Sequence, residues 1–501
     1  MLPARLFARG TRKNADIWIQ EKKSLIKTEY RHAYHLMADT GWINDPNGFS
    51  YFKGQYHLFY QYNPYNSIWG TMHWGHSVSD DLIHWRTCPV ALAPDEVYDQ
   101  SGCFSGTALV VGDKHILMYT GVTKIIDAGR IVIVQEQCIA SGQGEAYFKY
   151  PANPVIRSEM IPEGIAAEDV RDPKLFVQDG IYYCIAGTKT VEQKGAVILF
   201  RSTDLLTWRF TGILDQSDEI SHGVWECPDY FNLDGQDILF ISPQFKAPEE
   251  HQYHNLHSAC CRFGKLDLAQ GEFLTERMTE VDGGFDFYAP QTIIDPYGRR
   301  VMIAWMQMWE RMMPTNSDQH GWAGAMTFPR ELSIRDGQLR QWPVTEIERY
   351  RGSEYAFDAL FSGIYKDPLL RGVTVDLTID VENISAKSFG VRLFKGNGEE
   401  TVFDYQAASE TLTFDRRRNG RLLTGNPSER SGSGIRTAEL ALLDGKLSMR
   451  FLLDRTSVEG FFNDGLLAMT GNVYPSSDSE TIEIYSDGLV HVKVVCYQLQ
   501  I

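Results

Sequence analysis

Short apolar strands alternate with polar turns along the chain, and stretches with apolar residues three and four positions apart are nearly absent, so the pattern predicts strands rather than helices. One pattern recurs. A tight turn followed by an alternating apolar run appears as KGQYHLFYQ from Lys53, GDKHILMYTG from Gly112, DGIYYCIAG from Asp179, DGQDILFISP from Asp234 and YGRRVMIAWMQ from Tyr297, with starts 59, 67, 55 and 63 residues apart. A second echo, SDDLIHW from Ser79 and STDLLTW from Ser202, places one turn sequence two repeats apart. A period of about 60 residues with several strands per unit is what a β-propeller needs, because each blade is a small sheet stacked around a central channel. Five copies predict five blades.

The pattern changes after about Tyr350. GVTVDLTIDV from Gly372, FGVRLF from Phe389, KLSMRFLL from Lys446 and HVKVVCYQL from His491 alternate apolar and polar residues without the repeat. They predict two half-buried sheets packed as a sandwich. The expected organisation is all-β: an N-terminal extension over 1–30, a five-bladed β-propeller over 31–348 and a C-terminal β-sandwich over 355–501, with the boundary between Trp342 and Tyr355. RTSVEGFFNDG from Arg455 reads as strand, turn and strand.

Composition narrows the function. Lys and Arg number 48 against 65 Asp and Glu, a formal charge of −17, and the longest basic run is Arg416-Arg417-Arg418, which argues against nucleic acid as a partner. Apolar stretches fall short of the roughly 20 residues that span a bilayer, so no membrane association is expected. Arg5, Arg9, Arg12 and Lys13 are not followed by the apolar core of a secretory leader, which points to a cytoplasmic protein. Eight cysteines without CxxC spacing read as reduced thiols, Cys260-Cys261 included, rather than as a disulfide scaffold or zinc site. His251, His254 and His257 are spaced i, i+3, i+6 in a loop-like segment, which does not define a tetrahedral site. No metal and no cofactor are expected, small neutral solutes remain open as partners, and the oligomeric state is left open.

Three carboxylates precede repeat strands in the same phase: Asp45 in Trp42-Ile-Asn-Asp-Pro-Asn-Gly48, Asp172 in Arg171-Asp-Pro173 and Glu226 in Trp225-Glu-Cys-Pro228. Each is an ordinary turn or strand-end residue by itself. Their shared phase predicts that they meet at one channel mouth. Gln61, Trp69 and the Met72-His-Trp-Gly-His76 run supply amides, indoles and imidazoles nearby, although for His73, Trp74 and His76 a scaffold role weighs as much as a sugar contact.

These three motifs, in this order, resemble the signature of glycoside hydrolase family 32, the invertase and β-fructofuranosidase family. Phe104-Ser-Gly106, the Asp282 to Pro290 segment, Trp322-Ala-Gly324 with Arg330, and Ser457-Val-Glu459 agree with it, so the resemblance covers nearly the whole chain. It implies a five-bladed propeller with a β-sandwich and a retaining hydrolase of terminal β-fructofuranosyl groups. Carried over, Asp45 would be the nucleophile, Glu226 the acid/base and Asp172 the carboxylate that holds fructosyl hydroxyls. A retaining reaction needs one ionised and one protonated carboxyl. Repulsion among the three acids is expected to protonate Glu226, while backbone N–H groups and Asn44 keep Asp45 charged and Arg171 positions Asp172. Asn44, Gln61, Trp69, Phe104, Ser105, Arg171 and Trp322 are the expected sugar contacts. Cys227 reads as a small packed residue. Sucrose, sucrose 6-phosphate and short fructo-oligosaccharides are the expected substrates, with His254, Arg311 and Arg330 as candidates to meet a phosphate. Fructosyl transfer, exo-hydrolysis of levan or inulin, an arabinan-type hydrolase and a non-catalytic fructan-binding module are the alternatives.

Overall fold

A computed structural model describes residues 11–127, 129–423 and 434–501. Five four-stranded blades follow one another, and their first strands are Gly41–Phe52, Gly102–Val111, Arg171–Gln178, Trp225–Leu233 and Tyr288–Ile294. Each first strand neighbours those of the adjacent blades, so the five line one channel. The repeated sequence runs are the tight turn and the second strand of each blade, as in Gln55–Asn63 and Ile181–Lys189. Those strands lie between two others and bury residues such as Leu58, Ile185, Leu239 and Met302. Blade 5 closes the ring: the excursion between its second and third strands lays Trp322–Ala323 parallel to Gly41 and Trp42 of blade 1.

The two turn echoes adopt one conformation. Asp81 Oδ1 accepts from the Ile83 and His84 amides at 2.9 and 2.8 Å, and Asp204 Oδ1 accepts from Leu206 and Thr207 at 2.9 and 2.7 Å. Leu82 and Leu205 take φ of 66° and 67°, and the indoles of Trp85 and Trp208 donate to their carbonyls. Side-chain capping of this kind makes a turn that short polar residues specify.

In the first strand of every blade the pairing with its neighbour slips at the same level. The slips fall at Asn44-Asp45, Ser105, Asp172-Pro173, Cys227-Pro228 and Ala289-Pro290. Proline has no N–H for the ladder and belongs at an edge or a bulge. Pro46, Pro173, Pro228 and Pro290 mark four of the five. In blade 2 Gly106 takes that place, because a Cβ there would lie 2.0 Å from the Met118 carbonyl oxygen. Asp172, Cys227 and Ala289 are consequently left-handed, at φ of 59°, 47° and 52°. Bulges re-aim side chains, and these aim toward the channel mouth.

The C-terminal module differs from two separate sheets. Arg351–Tyr365 and Thr481–Leu499 are long paired strands, and the second bonds first to Ser388–Gly396 and then to Thr374–Asn383. One continuous sheet therefore folds over a core in which Val375, Leu377 and Ile379 meet Val391, Leu393 and Phe403. Ahead of the propeller, the helix Arg12–Lys22 buries Ala15 and Ile19 against blade 1, capped by the Thr11 hydroxyl.

A buried polar network joins the module to the propeller. His35 Nδ1 and Nε2 each lie 2.8 Å from a carboxylate oxygen, of Asp454 and Glu459 respectively. Arg330 bonds Asp282 at 2.9 Å and Glu459 at 2.5 Å. Burial opposes a charge on His35, but its bonds to the two carboxylates prevail and push its pKa up to about 9. Glu459 is the glutamate of the Ser457-Val-Glu459 segment.

Candidate active site

The bulges bring the three predicted acids together. Asp45 Oδ2 accepts a 2.6 Å hydrogen bond from the Ser105 hydroxyl, and the Cys227 thiol lies 3.6 Å from that oxygen and 3.6 Å from Asp172 Oδ2. The Cys227 amide donates to Asp172 Oδ2 at 3.1 Å. Ser105, Asp45, Asp172 and Cys227 occupy equivalent bulge positions in four blades, which is why they converge. Asp45 Oδ1 is buried and has no hydrogen-bond partner among the described residues. The groups on Asp45 are therefore side chains rather than the expected backbone amides. Asn44 is one of them, its orientation fixed by the Trp42 indole, which donates to Asn44 Oδ1 at 2.8 Å.

The proton order reverses the expectation from repulsion alone. Burial would raise the Glu226 pKa, but Arg171 contacts Oε1 through Nη2 and Nε at 2.8 and 3.1 Å, and Tyr288 donates to Oε2 at 2.6 Å. Glu226 is thereby held ionised. Asp172 is pushed up to about 7 by burial and by the neighbouring Glu226 and Asp45 charges, against the pull of Arg171. Asp45 is raised as well, by burial first, and the Ser105 bond opposes it. The cause is placement: Arg171 Nε is 3.9 Å from Asp172 Oδ2, so the guanidinium engages Glu226 instead of positioning its own sequence neighbour. Burial also pushes the Cys227 thiol up, which keeps it a neutral donor between two acids rather than merely a filler.

The other predicted contacts divide. Gln61 lies in the strand opposite Asn44 and Asp45, buried, with its amide donating to the Cys103 carbonyl at 3.0 Å. Trp69 is 44% exposed and meets Phe104 edge-on at 6.0 Å, and Phe104 packs on the cluster that contains Trp42, Cys227, Tyr288 and Trp305. Trp322 is not brought to the acids. Its indole donates to the Lys27 carbonyl at 3.0 Å and Arg31 covers its ring, so it anchors the N-terminal segment. Arg311 and Arg330 are likewise committed to buried carboxylates, Asp286 and the Asp282–Glu459 pair, and do not serve as phosphate contacts.

Sequence reasoning missed Tyr288, although Tyr288-Ala-Pro290 carries the same x-Pro mark as the acids. It also missed the hydrogen-bond chain behind Asp172, whose amide donates to Thr120 Oγ1 at 3.0 Å while that hydroxyl donates to Gln137 at 2.8 Å. Trp305 and Trp309, with ring centres 5.0 Å apart beside Trp42, complete an aromatic wall. For a metal, His32, His35 and Asp454 come close enough together. Both His35 nitrogens already face carboxylates, however, so this ring presents protons and not a lone pair.

Known proteins share this sequence and fold. The model of the glycosyl hydrolases family 32 N-terminal domain matches residues 35–343, and that of the family 32 C terminal matches 346–499. A sucrose-6-phosphate hydrolase of Escherichia coli is 36% identical over 467 residues, 92% of each chain, and a raffinose invertase of Escherichia coli is 35% identical over 463 residues, 90% of this chain and 91% of that one. Among solved structures, a GH32 β-fructofuranosidase of Bombyx mori superimposes with a TM-score of 0.82 at 31% identity over 98% of both chains. The sucrose-6-phosphate hydrolase of Lactobacillus gasseri gives 0.86 at 28% identity, covering 98% of this chain and 99% of that one. With one family model matched over the propeller whose bulges gather three acids and the other over the C-terminal module, the chain belongs to glycosyl hydrolase family 32.

Proposed function

We propose that this enzyme releases the β-fructofuranosyl group of sucrose or sucrose 6-phosphate by double displacement. The observation that carries the reading is the convergence of the acids, with Asp45 Oδ2 and Asp172 Oδ2 each 3.6 Å from the Cys227 thiol and Asp45 Oδ1 left without a hydrogen-bond partner among the described residues. Asp45 forms the fructosyl ester while Glu226 protonates the leaving glucosyl oxygen, and Glu226 then takes a proton from the water that cleaves the ester. Asp172 accepts hydrogen bonds from the fructosyl hydroxyls and, as an anion, stabilises the oxocarbenium-like charge. One proton is shared among the three acids. Sugar hydroxyls donating to Asp172 favour its anion, and the proton it carries near neutrality is then drawn to Glu226. Arg171 and Tyr288 fix the Glu226 carboxylate for that transfer. The relatives named sucrose-6-phosphate hydrolase and raffinose invertase support the substrate class.

The test is turnover of sucrose, sucrose 6-phosphate, a kestose-type oligosaccharide and inulin side by side, with fructose and the glucose moiety followed separately. Equal release of the two hexose units from sucrose or its phosphate is expected, and Asp45→Asn or Glu226→Gln should lower it by several orders of magnitude in a folded chain. Glucose in large excess over fructose would mean fructosyl transfer, and full activity in either variant would end the assignment of that residue.

A further inference from the structure

A cavity of about 440 Å³ lies between the N-terminal helix, the 64–67 loop of blade 1 and the excursion of blade 5, lined by Trp18, Tyr65, Asn66, Ser67, Asn316 and Gln319 among others. None of these residues belongs to the acid cluster. We propose that it is a second, non-catalytic sugar-binding site that takes one neutral hexose unit. Its volume is in the range of small-molecule sites, which run from about 300 to 1,000 Å³. The chemistry of its lining suits a polyol: Trp18 and Tyr65 stand edge to face at 5.6 Å as an aromatic wall. Asn66, Asn316 and Gln319 in the same lining supply amides that both donate and accept, as sugar hydroxyls do. No carboxylate lines it, and its one cation, Lys22, lies 4.9 Å over the Trp18 ring, so charge does not define the ligand.

The site reaches the catalytic mouth through one loop. Residues 63–70 are held by their own side chains, with Asn63 accepting from the Tyr65 amide at 3.2 Å and donating to the Ile68 carbonyl at 2.9 Å. Ser67 ties the loop to Asn316 at 2.7 Å. Tyr65, Asn66 and Ser67 face the cavity, while Trp69 at the loop's other end meets Phe104. A sugar in the cavity therefore bears on the segment that places Trp69, and its occupancy should alter substrate affinity more than turnover.

The probe is a thio-linked sucrose analogue, which glycosidic hydrolysis does not consume, titrated calorimetrically into the full chain. Two bound sugars per chain are expected. In Asn66→Ala/Gln319→Ala, where both side chains are exposed and folding is not at stake, one site should remain and the other weaken at least tenfold. Tyr65→Ala should do the same through the aromatic wall. A single site in the unaltered chain, or two sites undiminished in both variants, would overturn the proposal. Because the analogue is not cleaved, this result does not depend on which residues carry catalysis.

Discussion

Tyr288→Phe isolates the hydrogen bond that structure, rather than sequence, assigned to the acid. The Tyr288 hydroxyl donates to Glu226 Oε2 at 2.6 Å and also lies 3.0 Å from the Ser242 carbonyl, so its single proton serves mainly the shorter contact. A hydrogen bond to a charged group contributes about 1.5–3 kcal/mol. At 1.36 kcal/mol per pKa unit, its loss should raise the apparent pKa of the acid by roughly 1–2 units. The sign follows from the role. Glu226 must be protonated to act, and the bond stabilises its anion, so removing the bond extends activity to higher pH. The readout is the pH profile of kcat/KM on sucrose, whose basic limb reports the acid of the free enzyme as a property of the coupled cluster. The basic limb should move up by about 1–2 pH units, with the acidic limb moving less. Phenylalanine fills the same buried space, so the fold should persist. A basic limb that stays in place in a folded variant would refute the claim that Tyr288 sets the protonation of Glu226.

Other predictions concern the frame. Arg330→Met leaves Asp282 buried without its cation and Glu459 with His35 alone, and should cost about 3–5 kcal/mol in the first urea-unfolding transition, the range for breaking one side of a buried ion pair. His35 has its folded pKa at about 9 against 6.5, so the stability it adds is fully present below pH 6.5 and is lost as pH rises through 9. The stability gap between the native chain and His35→Gln should accordingly shrink by about 3 kcal/mol from pH 6 to pH 10. Of the eight free cysteines only Cys88 is not buried, and it alone should be alkylated by iodoacetamide in the native state, as read by peptide mass spectrometry. Alkylation of Cys227 at a comparable rate would contradict its burial between two acids.

Much of the fold was legible because the second strand of each blade is covered on both sides and must be apolar. Its pattern survives in KGQYHLFYQ and the four runs like it. The first strands are harder to read, since each carries polar site residues and a bulge that breaks the alternation. The signal they do leave is the recurring x-Pro at Asp45-Pro46, Asp172-Pro173, Cys227-Pro228 and Ala289-Pro290. Read as bulge markers, these dipeptides would have grouped Cys227 with the acids and drawn attention to Tyr288. The folding-over of the C-terminal sheet and the anchoring of Trp322 by Lys27 and Arg31 depend on partners distant in sequence, and no local pattern announces them.

The pairing of charges shows most clearly where sequence adjacency misleads. Arg171-Asp172 looks like an ion pair, and Glu226-Cys227 looks like an acid with a neutral neighbour. On a regular strand successive side chains leave opposite faces; the left-handed bulge residues Asp172 and Cys227 instead bring both residues of each dipeptide to the channel mouth, against the neighbouring blade. Each dipeptide must therefore find its partners in the next blade. Arg171 crosses to Glu226, and the amide and thiol of Cys227 cross back to Asp172, each across 55 residues of sequence. This reciprocal exchange between blades 3 and 4 gives the cation to Glu226 and leaves Asp172 with neutral donors. The same two motifs joined without bulges would put Arg171 and Asp172 on opposite faces of the strand and dissolve the exchange. The distribution of protons among the three acids is thus set by strand register, and a substitution that shifts the bulge, even one that touches no acid, should change which of them is ionised.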